Sequence, residues 1–309
     1  MKNTTHEKRP LFAVIFLSPE EKRLRAFWRL LVQTIILLLV AIPAGLFVGM
    51  ILFWYTGNPL LTSQLIAAVA TTSAVWIARR FIDKRSFTSL GFKLGRMALK
   101  DFAIGTVISA LLMGMVFVAE WALGWLHFEA FAWSKVSWQV VLSNIALYVI
   151  IFLIVAWNEE LLARGYWFQN IEDGTNVFWA LLLSSAFFAV GHAGNPNASY
   201  TAVLALVLAG IFLAFGYIRT RQLWLPIGLH FGWNLFEGTI FGFPVSGIDM
   251  FRVIQQTNDG PAAWTGGAFG PEAGLIIIPT LAIGVGLIFL YTRGRIRKNS
   301  NLSGETTPH

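Results

Sequence analysis

The chain has no cysteine, so disulfides, thiolate metal sites and cysteine nucleophiles are excluded at once. Charge is scarce too. Only 13% of the 309 residues are Asp, Glu, Lys or Arg, where soluble domains carry about 25%. There are 16 acidic residues and five histidines, so any acid–base chemistry has few candidates. Glycine-rich phosphate loops and fixed-period repeats are missing as well. What fills the space is apolar. Hydrophobic residues make up 56% of the chain, and the mean hydropathy is +0.64. The apolar residues also come in long blocks, which marks a polytopic membrane protein. The net charge of +7 does not indicate nucleic acid. Its Lys and Arg fall between the apolar blocks and at the ends, where anionic lipid is the partner.

The pattern predicts an all-α fold, a polytopic bundle of about eight membrane helices, each near the ~20 residues that cross a bilayer. The spans run Phe27–Phe53, Leu60–Ala78, Phe102–Leu126, Val140–Leu162, Val177–His192, Thr201–Ile218, Leu223–Phe241 and Ala273–Tyr291. Every second loop is basic: Lys22 to Arg29, Arg79 to Lys100, Arg164, Arg219 with Arg221, and Arg293 to Lys298. The alternate loops hold only Lys135 and Arg252. The positive-inside rule then places both termini in the cytoplasm. Residues 1–26 form a cytoplasmic N-terminal segment, 27–292 a single membrane domain, and 293–309 a disordered cytoplasmic tail. The N-terminus lacks the form of a signal peptide, because its charged stretch is followed by an apolar run longer than the usual 7–15 residues, roughly counted. Leu11 to Leu17 is too short to span and suits the interface. Gly242 to Glu272 is expected as a long outward loop without structure.

Within this apolar frame one stretch stands apart, Trp157-Asn158-Glu159-Glu160-Leu161-Leu162-Ala163-Arg164. Ionisable groups at membrane depth are costly and mark function by default. Glu160 and Arg164 are four apart and share a helix face. Glu159 points about 100° away. Two later segments supply partners: Phe188-Ala-Val-Gly-His192, and His230-Phe-Gly-Trp-Asn234, whose His and Asn again share a face. Glu237 extends that polar stripe by one turn. Glu120, His127, Glu129 and Asn144 read as span-end or packing residues, and most of the thirteen Trp as interface anchors.

Two carboxylates, two imidazoles and a carboxamide on three helices suit hydrolysis. A carboxylate in a low-dielectric site can take a proton from water. One imidazole can position that water, while a second imidazole and an amide stabilise an oxyanion. The same Glu159, His192 and His230 can instead hold a divalent metal such as zinc, although no His-Glu-x-x-His pattern supports it. Structural glue between helices, in a non-catalytic binding or immunity protein, and a proton relay in a transporter are the other readings. The depth count is the awkward part. His192 falls about 16 residues into its span, ~24 Å, and His230 about 8 into its own. Convergence also requires the fourth span to run past Arg164 toward Asn170.

At these residues the sequence resembles the CPBP family of intramembrane proteases. That family takes in the CAAX prenyl endopeptidases and bacterial relatives, the Abi proteins, linked to bacteriocin processing or self-immunity. Its pattern is Glu-Glu-x-x-x-Arg, Phe-x-x-x-His and His-x-x-x-Asn or Asp. All three occur here, in order, at Glu159–Arg164, Phe188–His192 and His230–Asn234. The Ser89-Leu-Gly-Phe92 and Gly266–Glu272 stretches also resemble bacterial members, so the likeness runs from Phe81 to Tyr291. The first 80 or so residues add nothing to it. The resemblance implies an intramembrane endopeptidase in a bacterial cell membrane, with a peptide or protein substrate. It implies that Glu159 is the base, that His192 holds the water, and that His230 and Asn234 stabilise the oxyanion. Glu160 and Arg164 would support them. The family has been described both as metalloproteases and as glutamate proteases, and the substrate does not carry over.

Overall fold

The computed structural model describes residues 10–18 and 23–303. The others belong to the N-terminal segment and the tail expected at either end. The first short helix, α1 (Leu11–Phe16), leaves Leu11 and Phe12 exposed. A long helix follows as α2 (Ala26–Pro43), a π-helical turn at Ala44–Val48 directly after Pro43, and α3 (Gly49–Thr56). Gly57, at φ +60°, stops it. α4 (Pro59–Ile77) starts cleanly because Asn58 accepts the Leu61 N–H at 2.9 Å and Pro59 occupies the first turn. Then come α5 (Arg96–Ala122), α6 (Trp138–Glu160), α7 (Gln169–Gly174), α8 (Val177–Gly191) and α9 (Tyr200–Thr220). α10 (Trp224–Asn234) and α12 (Ile277–Ser303) complete the bundle, with the one-turn α11 (Ala262–Thr265) between them.

Among the described residues, six helices are long and apolar enough to cross a membrane: Ala26–Thr56, Pro59–Ile82, Arg96–Ala122, Trp138–Gly174, Tyr200–Thr220 and Ile277–Arg295. The protein is thus a multi-pass integral membrane protein. The other two expected spans are shorter: α8 has 15 residues, and α10 is an 11-residue helix continued by a π-helical segment, Leu235–Ile240. The expected tail is helical as far as Ser303, and residues 304–309 lie outside the described residues.

The loop from Gly242 to Glu272 is not structureless. Its β2 (Ile254–Asn258) pairs antiparallel with β1 (Leu126–Phe131), from the connection after α5, with Leu126 opposite Asn258. An all-α reading therefore needs this one small sheet added. Local periodicity does not show it, because each strand is a short segment completed only by a partner over 120 residues away.

α10 is the axis of the fold, since every one of its residues but Trp224 is buried. It packs on α5 at backbone distance. A Cβ on Gly228 would lie 2.1 Å from the Phe102 carbonyl oxygen, and one on Gly232 would lie 2.7 Å from that of Thr106. Small residues allow this approach in membranes, where no hydrophobic force drives helices together. Ser109 adds a hydrogen bond to the Leu229 carbonyl at 2.6 Å.

A buried polar cluster ties the segment after α4 to the fourth span. Asp83 accepts from Arg79 at 2.9 Å and from the Tyr166 hydroxyl at 3.2 Å, with Asn170 at 3.5 Å. Sequence reading counts Arg79 as a loop charge, yet it is almost fully buried, held in place by Asp83.

Candidate active site

Glu159 and Glu160 end α6, where the helix widens into the π-helical segment Leu161–Phe168. Such bulges occur mostly at functional sites, because the extra residue re-aims neighbouring side chains. A second one, Leu235–Ile240, follows Asn234. Together α6, the π segment and α7 run unbroken from Trp138 to Gly174, which removes the depth problem. Fifteen residues separate Glu159 from Gly174, and fifteen separate Val177 from His192. On antiparallel helices that is about 22 Å on either side of the turn, so the two side chains are level.

Glu160 is fully buried, and its Oε1 accepts twice: from Arg164 Nη1 at 2.6 Å and from His230 Nδ1 at 2.9 Å. Arg164 is equally buried and donates its Nη2 to the Gly210 carbonyl at 2.8 Å. Gly210 can serve because α9 meets α8 closely there; a Cβ on it would stand 2.8 Å from that of Ser185. The guanidinium also lies over the Phe188 ring, 4.6 Å from its centre. Phe188 in turn faces His192 and His230, with ring centres 4.8 and 6.0 Å away. The Phe of the second motif is thus the packing block between one charge and two imidazoles.

His192 caps α8, and its Nδ1 lies 2.9 Å from the Phe188 carbonyl oxygen. A carbonyl only accepts, so Nδ1 carries the hydrogen and Nε2 keeps a lone pair. His230 Nδ1 likewise donates to the Glu160 carboxylate. Both free Nε2 atoms converge on one oxygen, Glu159 Oε2, at 3.6 and 3.7 Å. That oxygen is buried and has no hydrogen-bond partner. Buried polar atoms are rarely left so. Asn234 is buried one turn beyond His230 and lines the same cavity as Glu159 and both histidines.

The structure therefore brings all six sequence-predicted residues together. Five are linked through direct contacts, and Asn234 joins them across the cavity. Glu120, His127, Glu129 and Asn144 stay outside, as expected. His127 meets Asp259 on the surface at 3.2 Å, and Glu120 accepts a hydrogen bond from Asn258 beneath the sheet.

The cavity holds about 390 Å³. Its walls include residues that sequence reading misses. Leu60 and Gln64 come from α4, inside the first 80 residues, where the family resemblance does not reach. Asn195, Ser246 and Glu272 come from the loops. The Val245-Ser246-Gly247-Ile248 stretch carries a signal, because Ser-Gly between two apolar residues suits a two-residue hairpin turn.

A metal asks more of these donors than their chemistry. A carboxylate oxygen and two imidazole nitrogens are suitable for zinc in kind. Among the described residues no group of three His, Cys, Asp or Glu side chains is gathered into a ready ligand set. Glu159, His192 and His230, with Glu159 Oε2 at 3.6 and 3.7 Å from the two nitrogens, are the residues that would hold a metal.

Parts of the chain are similar to known proteins. Residues 141–236 match the family described as Type II CAAX prenyl endopeptidase Rce1-like. All three motifs and all six converging side chains lie inside that stretch. Two relatives come from Bacillus subtilis (strain 168). "Putative membrane peptidase YdiL" is 35% identical over 78 residues, 25% of this chain and 30% of that protein. "Uncharacterized protein YyaK" is 28% identical over 170 residues, 52% of this chain and 54% of that one. The chain thus spans about a third and about half of these two relatives. No solved structure matches.

Proposed function

We propose that this protein is an intramembrane endopeptidase in which Glu159 activates water to hydrolyse a peptide bond of a membrane-associated substrate. The observation that carries the reading is the unpartnered, buried Oε2 of Glu159, faced by two imidazole nitrogens at 3.6 and 3.7 Å. A water placed there donates one hydrogen to Glu159 and the other to His192 Nε2. As Glu159 takes the proton, the oxygen attacks the scissile carbonyl. Two carboxylates and one guanidinium surround His230. A protonated imidazole balances that charge and turns its Nε2–H into a donor for the oxyanion. The Asn234 amide supplies a second donor, a contribution often worth roughly 3–4 kcal/mol each. Glu159 then returns its proton to the leaving amine. Glu160 and Arg164 do not touch the substrate; they hold the His230 ring and its tautomer. No step passes through a metal.

The Rce1-like match supports a membrane peptidase, and the name of YdiL points the same way. The positive-inside rule supports a cytoplasmic side next to α7 and the start of α8, so the substrate is expected from that leaflet. The test is purified protein in liposomes with a library of lipid-anchored and membrane-spanning peptides, with and without 1,10-phenanthroline. Cleavage that resists the chelator and disappears in Glu159→Gln is the expected result. Cleavage abolished by the chelator and restored by zinc would overturn the glutamate mechanism, and identical behaviour of wild type and Glu159→Gln would overturn the assignment altogether.

A further inference from the structure

One amide in the cavity wall has no work inside the protein. Gln64 lies on α4, four residues after Leu60, so the two share a helix face, and both line the cavity that holds Glu159. Gln64 is half-buried, and its side chain makes no hydrogen bond among the described residues. A carboxamide carries two N–H donors and an acceptor oxygen. Leaving these unpaired in a largely apolar wall, with Leu60, Ile151, Phe152 and Val155, is costly unless something in the cavity meets them.

The other polar groups of the wall are engaged. Ser246, left-handed at φ +47°, donates its hydroxyl to Glu272 at 2.6 Å. His192 and His230 are each held through Nδ1. Among the described residues three carboxamides line the cavity, Gln64, Asn195 and Asn234. Asn195 is spent on the Ser246 carbonyl at 3.1 Å. Asn234 is taken up by the oxyanion in the proposed reaction. Gln64 is left for the substrate.

Its position is fixed. Asn158 Nδ2 donates to the Gln64 backbone carbonyl at 3.3 Å, and the Trp157 indole donates to the Thr72 hydroxyl at 2.9 Å. Asn158 directly precedes Glu159. The backbone that carries Gln64 is therefore tied to the backbone that carries the water-activating carboxylate. A second tie about two turns along α4 holds the rotation of that helix. A group that positions a substrate needs this kind of fixed relation to the reacting groups.

The chemistry of the amide says what it takes. It can donate to a backbone carbonyl and accept from a backbone N–H at once. Only an extended peptide offers both, because a helix spends them on itself. Main-chain pairing of this sort gives affinity, and pockets for side chains give specificity. We infer that Gln64 is a substrate-binding residue, pairing through its side-chain amide with the backbone of an extended peptide next to the scissile bond. The inference deepens the proposed function and takes from it that the cavity is the substrate chamber. It puts on α4, outside the matched residues 141–236, a group that touches the substrate. Backbone is common to all peptides, so Gln64 sets affinity and register and leaves the choice of side chains to the apolar wall.

The test pairs a change in the protein with a change in the peptide. Dansylated membrane-spanning and lipid-anchored peptides are bound in liposomes to the Glu159→Gln protein, with and without Gln64→Leu. Energy transfer from tryptophan reports Kd with no cleavage. Each peptide is also made with one backbone amide replaced by an ester, position by position, which removes a single N–H. The expected result is binding about tenfold weaker with Gln64→Leu. One ester position should weaken binding comparably while Gln64 is present and have no further effect with Gln64→Leu. Leucine suits an apolar helix, and Gln64→Met, unbranched like glutamine, replaces it if the folded yield falls. Equal Kd values with and without the Gln64 change overturn the inference. So does an ester profile that is the same in both proteins, which is what a merely structural Gln64 would give. Peptides that bind neither protein overturn it too. Cleavage by wild type is scored separately, so a peptidase that ignores Gln64 and a peptide binder that does not cleave are told apart.

Discussion

The first long helix and α10 are both apolar, yet they belong to different solvents. In the most apolar window of Ala26–Thr56 no residue is buried within the protein. In α10 every residue but Trp224 is. The first helix turns that stretch outward and needs only hydrophobicity and length there. α10 is packed among other helices, where two glycines lie against the α5 backbone and His230 is held by Glu160. High hydropathy alone therefore does not identify the working part of this protein. The working part is the less apolar helix, where polar groups have been satisfied one by one.

This contrast can be broken most severely at Arg164. Arg164→Leu leaves the Glu160 carboxylate buried without its guanidinium and should cost about 3–5 kcal/mol, read as a loss of folded protein in a thermal or chemical unfolding assay. Asn234→Ala should spare the fold and raise the barrier by about 3 kcal/mol. The signature is a kcat lowered by more than a hundredfold with KM little changed. Gly228→Ala forces α10 off the Phe102 carbonyl and should destabilise by about 1–3 kcal/mol, visible as a lowered Tm. At the other extreme, Leu39→Ala on the first helix, a side chain 68% exposed to the bilayer region, should move Tm by no more than about 0.5 kcal/mol equivalent. A Leu39→Ala effect as large as that of Gly228→Ala would show that α2 packs against a partner and would erase the contrast.

Much of the site is legible in the sequence, for a physical reason. Carboxylates, imidazoles and arginine are so costly in an apolar helix that their positions alone flag function, and spacing of four sets which of them share a face. Glu159, Glu160, Arg164, His192 and His230 stand out this way, and their contacts bear that convergence out. Helix ends are less legible. Hydropathy places the end of the fourth span near Leu162, and only the depth count asks for a helix that continues past Arg164 toward Asn170. In the structure Arg164, Gln169 and Asn170 are buried with partners from other elements, and the helix runs to Gly174. That extension is what levels Glu159 with His192. The way the Val245–Ile248 turn lies against the cavity is hidden from the sequence. It depends on Ser246 meeting Glu272 and Asn195 across long sequence separations, and a serine in a left-handed turn has no periodicity to reveal it. Leu60 and Gln64 escape notice for the same reason, since nothing local marks a helix residue as facing a cavity rather than lipid.

The central claim is that Glu159 drives water onto a peptide bond. The most direct test compares membranes carrying wild type or Glu159→Gln, at matched folded levels and in H₂¹⁸O, for new protein termini. The account predicts a set of new carboxyl termini bearing ¹⁸O with wild type and none with Glu159→Gln. The same termini, equally labelled, in both membranes would contradict it.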